Sequence, residues 1–179
     1  NINAFETEGF ALQVFYNIQL GEVFGSGEAD DMGRLSLSAI WQHTDVLDQT
    51  ALAGTAQSTV IPLKGSVGVF EDEWNVGAFY TIGDLSLTWS GRWMSEADGV
   101  DVAGEILPEL IPDQWFHDVS AKYNVTEYLS VYGGVRNLTD NYVFIGPGAF
   151  AATPTGWSTE PDTYDGLGRR FFLGIRVNM

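Results

Sequence analysis

Asp84-Leu85-Ser86-Leu87-Thr88-Trp89-Ser90-Gly91-Arg92-Trp93-Met94 is the stretch on which the fold turns. Leu85, Leu87, Trp89, Gly91 and Trp93 share one parity, and Asp84, Ser86, Thr88, Ser90, Arg92 and Met94 share the other. An extended chain points successive side chains to opposite faces, so the segment reads as a strand with one apolar and one polar face. Six more segments behave alike, at 12–20, 34–42, 74–82, 118–125, 129–136 and 170–179. No long segment has helical spacing. The chain is expected to be all-β, with about seven antiparallel strands.

These strands run about 9–11 residues, the length that crosses a bilayer at a tilt. Strands of soluble sandwiches are usually nearer 5–6 residues. The connections differ in length as well. Short ones fall at Gly83-Asp84 and Thr126-Glu127, and Gly21–Met32 is intermediate. Long ones are expected over 45–71, 96–114 and 138–168. Short turns at one end and long loops at the other are the pattern of an outer-membrane barrel, and loops of that length are uncommon in compact soluble domains. A soluble all-β domain with one buried face is the competing reading.

Charge placement favours the membrane. Arg34, Arg92, Lys122, Arg136, Arg170 and Arg176, six of the eight basic residues, share the parity of the polar face. A cation facing lipid at mid-depth costs about 2–4 kcal/mol, so the polar face is expected to line the lumen. Aromatic residues then sort to the strand ends. Trp41, Trp74, Trp93, Trp115 and Phe171 fall towards the outer end, and Tyr80, Tyr123 and Tyr128 towards the inner, as two interfacial girdles require.

Composition bounds the rest. The 179 residues carry a formal charge of −16, with 45% hydrophobic residues, 13% aromatics and no Cys. The length allows a single domain. The charge opposes nucleic-acid binding, which needs a basic footprint, and opposes attraction to an anionic surface. Without Cys there is no disulfide framework or thiolate site. Aromatic and branched residues are too frequent for disorder. The opening Asn1-Ile2-Asn3 has neither a starting Met nor a signal-like run, which suggests a processed product or part of something longer.

The last third carries a resemblance. Tyr132-Gly133-Gly134-Val135-Arg136-Asn137-Leu138-Thr139-Asp140, followed by Tyr164-Asp165-Gly166-Leu167-Gly168-Arg169-Arg170-Phe171-Phe172-Leu173-Gly174-Ile175-Arg176-Val177, resembles the end of TonB-dependent outer-membrane receptors. Phe5–Phe10 and Ile82–Leu87 also resemble strand starts of that family. The resemblance implies that residues 1–179 are the C-terminal part of a transmembrane barrel of about 22 strands, with the plug domain outside this chain. It implies the outer membrane of a Gram-negative bacterium and uptake of a scarce, bulky ligand energised through TonB. The implied partners are the remainder of the barrel and the plug, the TonB complex and outer-membrane lipid. No cofactor is expected. Phe171, Leu173, Ile175, Val177 and Met179 resemble the signal read by the barrel-insertion machinery, except that Met179 stands where an aromatic is usual. A non-energised barrel component, an adhesin or assembly subunit, is the alternative.

Enzyme chemistry is not expected. His43 and His117 share the apolar parity near outer strand ends and lack a Ser on that face, which an outward-facing hydrolase would need. No Gly-x-Ser-x-Gly elbow or phosphate loop occurs. The Asn124 and Asn137 sequons read as strand-end residues. The outer stretches hold fifteen carboxylates, Asp45 to Asp165, against Lys64 alone. Such a field disfavours anions, so a neutral ligand such as an oligosaccharide is preferred over a ferric siderophore. Ca²⁺ on these loops is left open, as no EF-hand spacing occurs. Tyr142, Phe144, Trp157 and Tyr164 are candidate ligand platforms, since rings stack on sugar faces and planar groups.

Overall fold

The computed structural model describes residues 4–25, 32–100, 106–143, 163–164 and 166–178. Ten strands and one short helix follow in order. They are β1 (Ala4–Gln19), α1 (Leu20–Phe24), β2 (Arg34–Ala51), β3 (Thr59–Pro62), β4 (Asp72–Ile82), β5 (Leu85–Met94), β6 (Ala97–Val100), β7 (Ile106–Ile111), β8 (Gln114–Asn124), β9 (Leu129–Arg136) and β10 (Arg170–Val177). Seven of them form one antiparallel sheet in the order β1-β2-β4-β5-β8-β9-β10, with β3 beside the far half of β2. The all-β expectation and its seven long strands are borne out. No described helix is long and apolar enough to cross a membrane, which says nothing of crossing by strands.

Register turns the alternation of each strand into two continuous faces. Leu12 pairs with Trp41, Trp41 with Trp74, Trp74 with Trp93, and Trp93 with Trp115. Farther along, Trp89 pairs with Val119, Val119 with Val135, and Val135 with Phe171. A slip of one residue in any ladder would have sent that strand's apolar set to the other side. None occurs between these pairs, so the apolar residues of seven strands share a face.

Three expected connections contain regular structure. The loop expected over 45–71 begins only after Ala51, because β2 runs on against β1 and then receives β3. A bulge hides this in the sequence. Glu8 pairs with Val46 but Gly9 with Thr44, so Asp45 is the extra residue and the parity of β2 flips there. The stretch 96–114 holds the β6–β7 hairpin, and β8 already begins at Gln114. The connection after β1 opens with α1, and Leu20, expected in the strand, starts that helix.

The buried hydrophobic residues sit at one end, on the polar face. Phe70, Met94, Ala97, Ile111, Phe116, Val143 and Tyr164 form a small core with Val67 against it. Met94 and Phe116 belong to the polar parity, so that face turns apolar where the loops fold over it. The opposite face stays uncovered. Among the described residues β1 pairs only with β2 and β10 only with β9, leaving both edges of the sheet open. Unpaired edge groups in hydrocarbon cost several kcal/mol each.

Candidate functional site

The uncovered face is a banded apolar surface. At one end the indoles of Trp41 and Trp74 stack at 5.6 Å, with Phe10 edge-on to Trp41 at 5.0 Å. Trp93 and Trp115 follow at 6.4 Å. Trp115, His117 and Trp89 stack successively at 5.5 and 5.8 Å, and the His117 Nδ1 is buried without a hydrogen-bond partner among the described residues. At the other end lie Tyr80, whose hydroxyl donates to the Met32 carbonyl at 2.9 Å, and the exposed Tyr123 and Tyr128. Trp115 and Tyr123 are eight residues apart on β8, about 26 Å along the strand and roughly 20 Å along the normal at a barrel tilt of about 40°. Phe171, Leu173, Ile175 and Val177 of β10 are the most open part, with Leu173 81% exposed. Met179 lies outside the described residues.

Just beyond the tryptophan row a polar cluster marks the end of the band. Asp72 Oδ1 accepts the Trp41 indole N–H at 2.8 Å and lies 2.8 Å from His43 Nδ1, while His43 Nε2 lies 3.2 Å from Asp45. The hydrogen bond to Asp72 raises the His43 pKa, and Asp45 adds to it against partial burial. Burial pushes the Asp72 carboxyl up, but the hydrogen bonds from His43 and Trp41 outweigh it and hold it below its ordinary value. The bulge at Asp45 is what brings that carboxylate beside His43.

The quoted C-terminal motif is a clasp that ends β9 and starts β10. Asn137 takes φ +51° and is buried. Its N–H donates to Asp118 at 2.8 Å, its Nδ2 to the Asn141 carbonyl at 2.7 Å, and its Oδ1 accepts the Asn141 N–H at 2.9 Å. Asp140 accepts the Arg169 N–H at 2.7 Å and lies 3.7 Å from its guanidinium. Gly168, at φ +67°, leaves room for Asp140 Oδ1, which a Cβ would meet at 2.9 Å. Gly174 lies directly under the Tyr132 ring, which a Cβ there would push aside. An aromatic laid across a strand glycine restores the packing that glycine lacks.

The polar face carries all six basic residues of its parity. Arg34 donates to Gln19 at 3.1 Å, and Lys122 faces Tyr132 across the β8–β9 ladder. Arg176 pairs in register with Ser130, and Arg136 with Arg170. Arg92 lies 5.4 Å over the Phe116 ring and donates to the Thr163 carbonyl at 3.4 Å. Arg92, Arg136 and Arg170 line one cleft of about 600 Å³, roofed by Thr163, Tyr164, Gly166 and Leu167 and with Asp118 in its wall.

The aromatic platforms fare differently. Tyr142 is exposed, while Phe144 and Trp157 lie outside the described residues. Tyr164 is 2% exposed, edge-on to Phe70 at 6.0 Å, with its phenol pushed up to about 12 by burial. A ring so enclosed has no face left for a ligand, so core packing replaces the platform expected there. The sequence reading missed the role of Phe70, Met94 and Phe116; Met94 and Phe116, large apolar residues on the polar parity, were the available signal. No set of three metal-ligating side chains occurs among the described residues.

No protein-family model and no curated protein matches the chain. Two solved structures are similar to it in part. One is the ferripyoverdine receptor of the outer membrane of Pseudomonas aeruginosa, at 16% identity and a TM-score of 0.46 over 66% of this chain and 17% of that one. The other is a ferric enterobactin receptor mutant from Pseudomonas aeruginosa, at 14% identity and a TM-score of 0.45 over 82% of this chain and 29% of that one. The chain therefore spans less than a third of either receptor.

Proposed function

We propose that the chain is the C-terminal barrel part of an outer-membrane active-transport receptor energised through TonB. The observation that carries this reading is the two-faced sheet. Its apolar face is uncovered and bounded by a tryptophan row and by tyrosines, and its other face holds the cations. A soluble sandwich would have covered that apolar face with a second layer. In a bilayer the lipid covers it, and the open edges at β1 and β10 are closed by the remaining strands. The C-terminal motif, resembling that of TonB-dependent receptors, supports the family within the barrel class.

In this reading the loops beyond the tryptophan row capture the ligand, and rearrangement of a plug opens a path along the polar face. Glu71, Glu73, Glu96, Asp98 and Asp113 keep the described part of that rim acidic. The field they make supports a neutral ligand, such as an oligosaccharide, over a free anion. Tyr142 at the rim supplies an aromatic contact, and Phe144 and Trp157 remain candidates by sequence.

The deciding measurement is the intact mass of the native polypeptide bearing this C-terminus, taken from purified outer membranes, together with ligand uptake before and after the proton gradient is collapsed. A mass several times 19.6 kDa and uptake lost with the gradient support the receptor. A barrel-sized polypeptide whose binding and transport ignore the gradient is the non-energised component instead. Recovery in the soluble fraction alone refutes both.

A further inference from the structure

We propose, building on the transport reading, that the trough between Phe79 and Phe172 on the polar face is a sugar-binding subsite, which holds a short segment of a neutral oligosaccharide midway along the wall during its passage. Ladder register sets Phe79, Thr88, Ser120, Gly134 and Phe172 in one row across β4, β5, β8, β9 and β10. The next row runs Thr81, Ser86, Lys122, Tyr132 and Gly174. The rings of Phe79, Tyr132 and Phe172 and the hydroxyls of Ser86, Thr88 and Ser120 line a cavity of about 280 Å³ there. That size is near the small end of ligand sites. Ser120 is six residues beyond Gln114, where β8 begins, about 20 Å along the strand. The trough therefore lies within the wall, apart from the loops that capture the ligand.

Large apolar rings on a polar face need a reason. Met94 and Phe116 have one, since the loop core covers them. Phe79, Tyr132 and Phe172 lie outside that core and stay 43%, 38% and 40% exposed. Phe172 reaches over Gly134 and Tyr132 over Gly174, so glycine seats both rings against the sheet while their outer surface stays open. Phe79 and Gly134 are three strand spacings apart, about 14 Å. Between them the floor is made of hydroxyls. Ser86, Thr88 and Ser120 make no side-chain hydrogen bond among the described residues, whereas Ser36 donates to Asn17 at 2.6 Å. A hydroxyl both donates and accepts, as the hydroxyls of a sugar do, and aromatic faces stack on sugar rings. Among the described residues no carboxylate lines the cavity, and Lys122 at one edge is its single charged group. Rings on both sides of an uncharged hydroxyl floor suit a neutral polyol, and the acidic rim above disfavours an anion.

The test uses the full-length polypeptide bearing this chain, both purified in detergent and produced in cells. The purified protein is applied to an array of short neutral oligomers of glucose, galactose, mannose and xylose, and the bound member, radiolabelled, is followed into cells. Phe79→Leu and Phe172→Leu are each expected to lower the maximal uptake rate about 2- to 12-fold, the worth of one aromatic stack, with array binding unchanged. Phe79→Tyr and Phe172→Tyr keep the ring and should keep the rate. Phe79 is not seated on a glycine, so its variants serve where Phe172→Leu fails to fold. Equal uptake by leucine and tyrosine variants overturns the subsite and leaves the transport reading intact. If the leucine variants also open the preceding polypeptide to protease at an unchanged uptake rate, that polypeptide and not a sugar fills the trough. Array binding lost with the leucine variants places the rings in capture and overturns the role in passage. An array with no bound member, or a bound member that never enters cells, overturns the sugar reading and the subsite with it. Uptake that ignores collapse of the proton gradient, yet still falls with the leucine variants, counts against energised transport alone.

Discussion

Replacing Val119 and its neighbour Ser120 by arginine, one at a time, tests the assignment of the two faces. The residues are consecutive on β8, so their side chains leave the same strand in opposite directions. Val119 lies four residues from Trp115 and four from Tyr123, about 13 Å along the strand from each, which places it near the middle of the apolar band. A cation on the lipid side at that depth costs about 2–4 kcal/mol. Ser120 faces the cationic side near Lys122, so Ser120→Arg adds only modest repulsion, of order 0.5 kcal/mol. The difference, about 1.5–3.5 kcal/mol, corresponds to a folding constant about 10- to 300-fold lower for Val119→Arg, at 1.4 kcal/mol per decade. Reversible denaturant unfolding of the full-length protein in phospholipid vesicles, followed by tryptophan fluorescence, measures both. Val119 is 37% exposed in this chain. On a soluble surface its substitution would stay within about 0.5 kcal/mol. Equal stability of the two variants would therefore refute the lipid-facing assignment.

Three further outcomes follow from the local chemistry. The His43 pKa is raised and that of Asp72 lowered, so both are charged between those values and the pair stabilises there. That contribution is lost as pH rises through the folded His43 value, above about 6.5, and again as pH falls through the folded Asp72 value; His43 ring resonances against pH report it, and Asp72→Asn should return the midpoint towards the ordinary value. Asn137→Ala removes two side-chain hydrogen bonds and puts alanine at positive φ, a loss of about 2–4 kcal/mol, whereas Asn137→Gly should lose less because glycine accepts that φ; urea midpoints of equal losses would count against the backbone part. Gly174→Ala drives a methyl into the Tyr132 ring and costs about 1–3 kcal/mol, and a double-mutant cycle with Tyr132→Ala should recover most of it, additivity being the contrary result.

Much of the two-faced sheet is legible in the sequence. The parity of Arg34, Arg92, Lys122, Arg136, Arg170 and Arg176 places them on one face once every strand is antiparallel and in register. The tryptophans of β2, β4, β5 and β8 were legible as one row because each sits at one end of its own alternating run. The extension of β2 past His43 was not legible, because the bulge at Asp45 breaks the period on which the reading depends. Nor was the enclosure of Tyr164. Its neighbours Phe70, Met94 and Phe116 come from three other segments, and a ring among Gly and Asp looks like a loop ornament until those segments are folded together.

The sequence alone determined the class of structure, the two faces of the sheet and which residues each face receives. That information is local, since side chains alternate along any extended strand whatever lies beside it. The tertiary structure decided which residues become neighbours. It set Arg136 against Arg170, brought Asp72 to His43, seated Tyr132 over Gly174 and folded Thr163 and Tyr164 across Arg92. Those contacts depend on ladder register and on loops returning over the sheet, and they join residues up to 71 positions apart. No period within a single strand encodes such a distance.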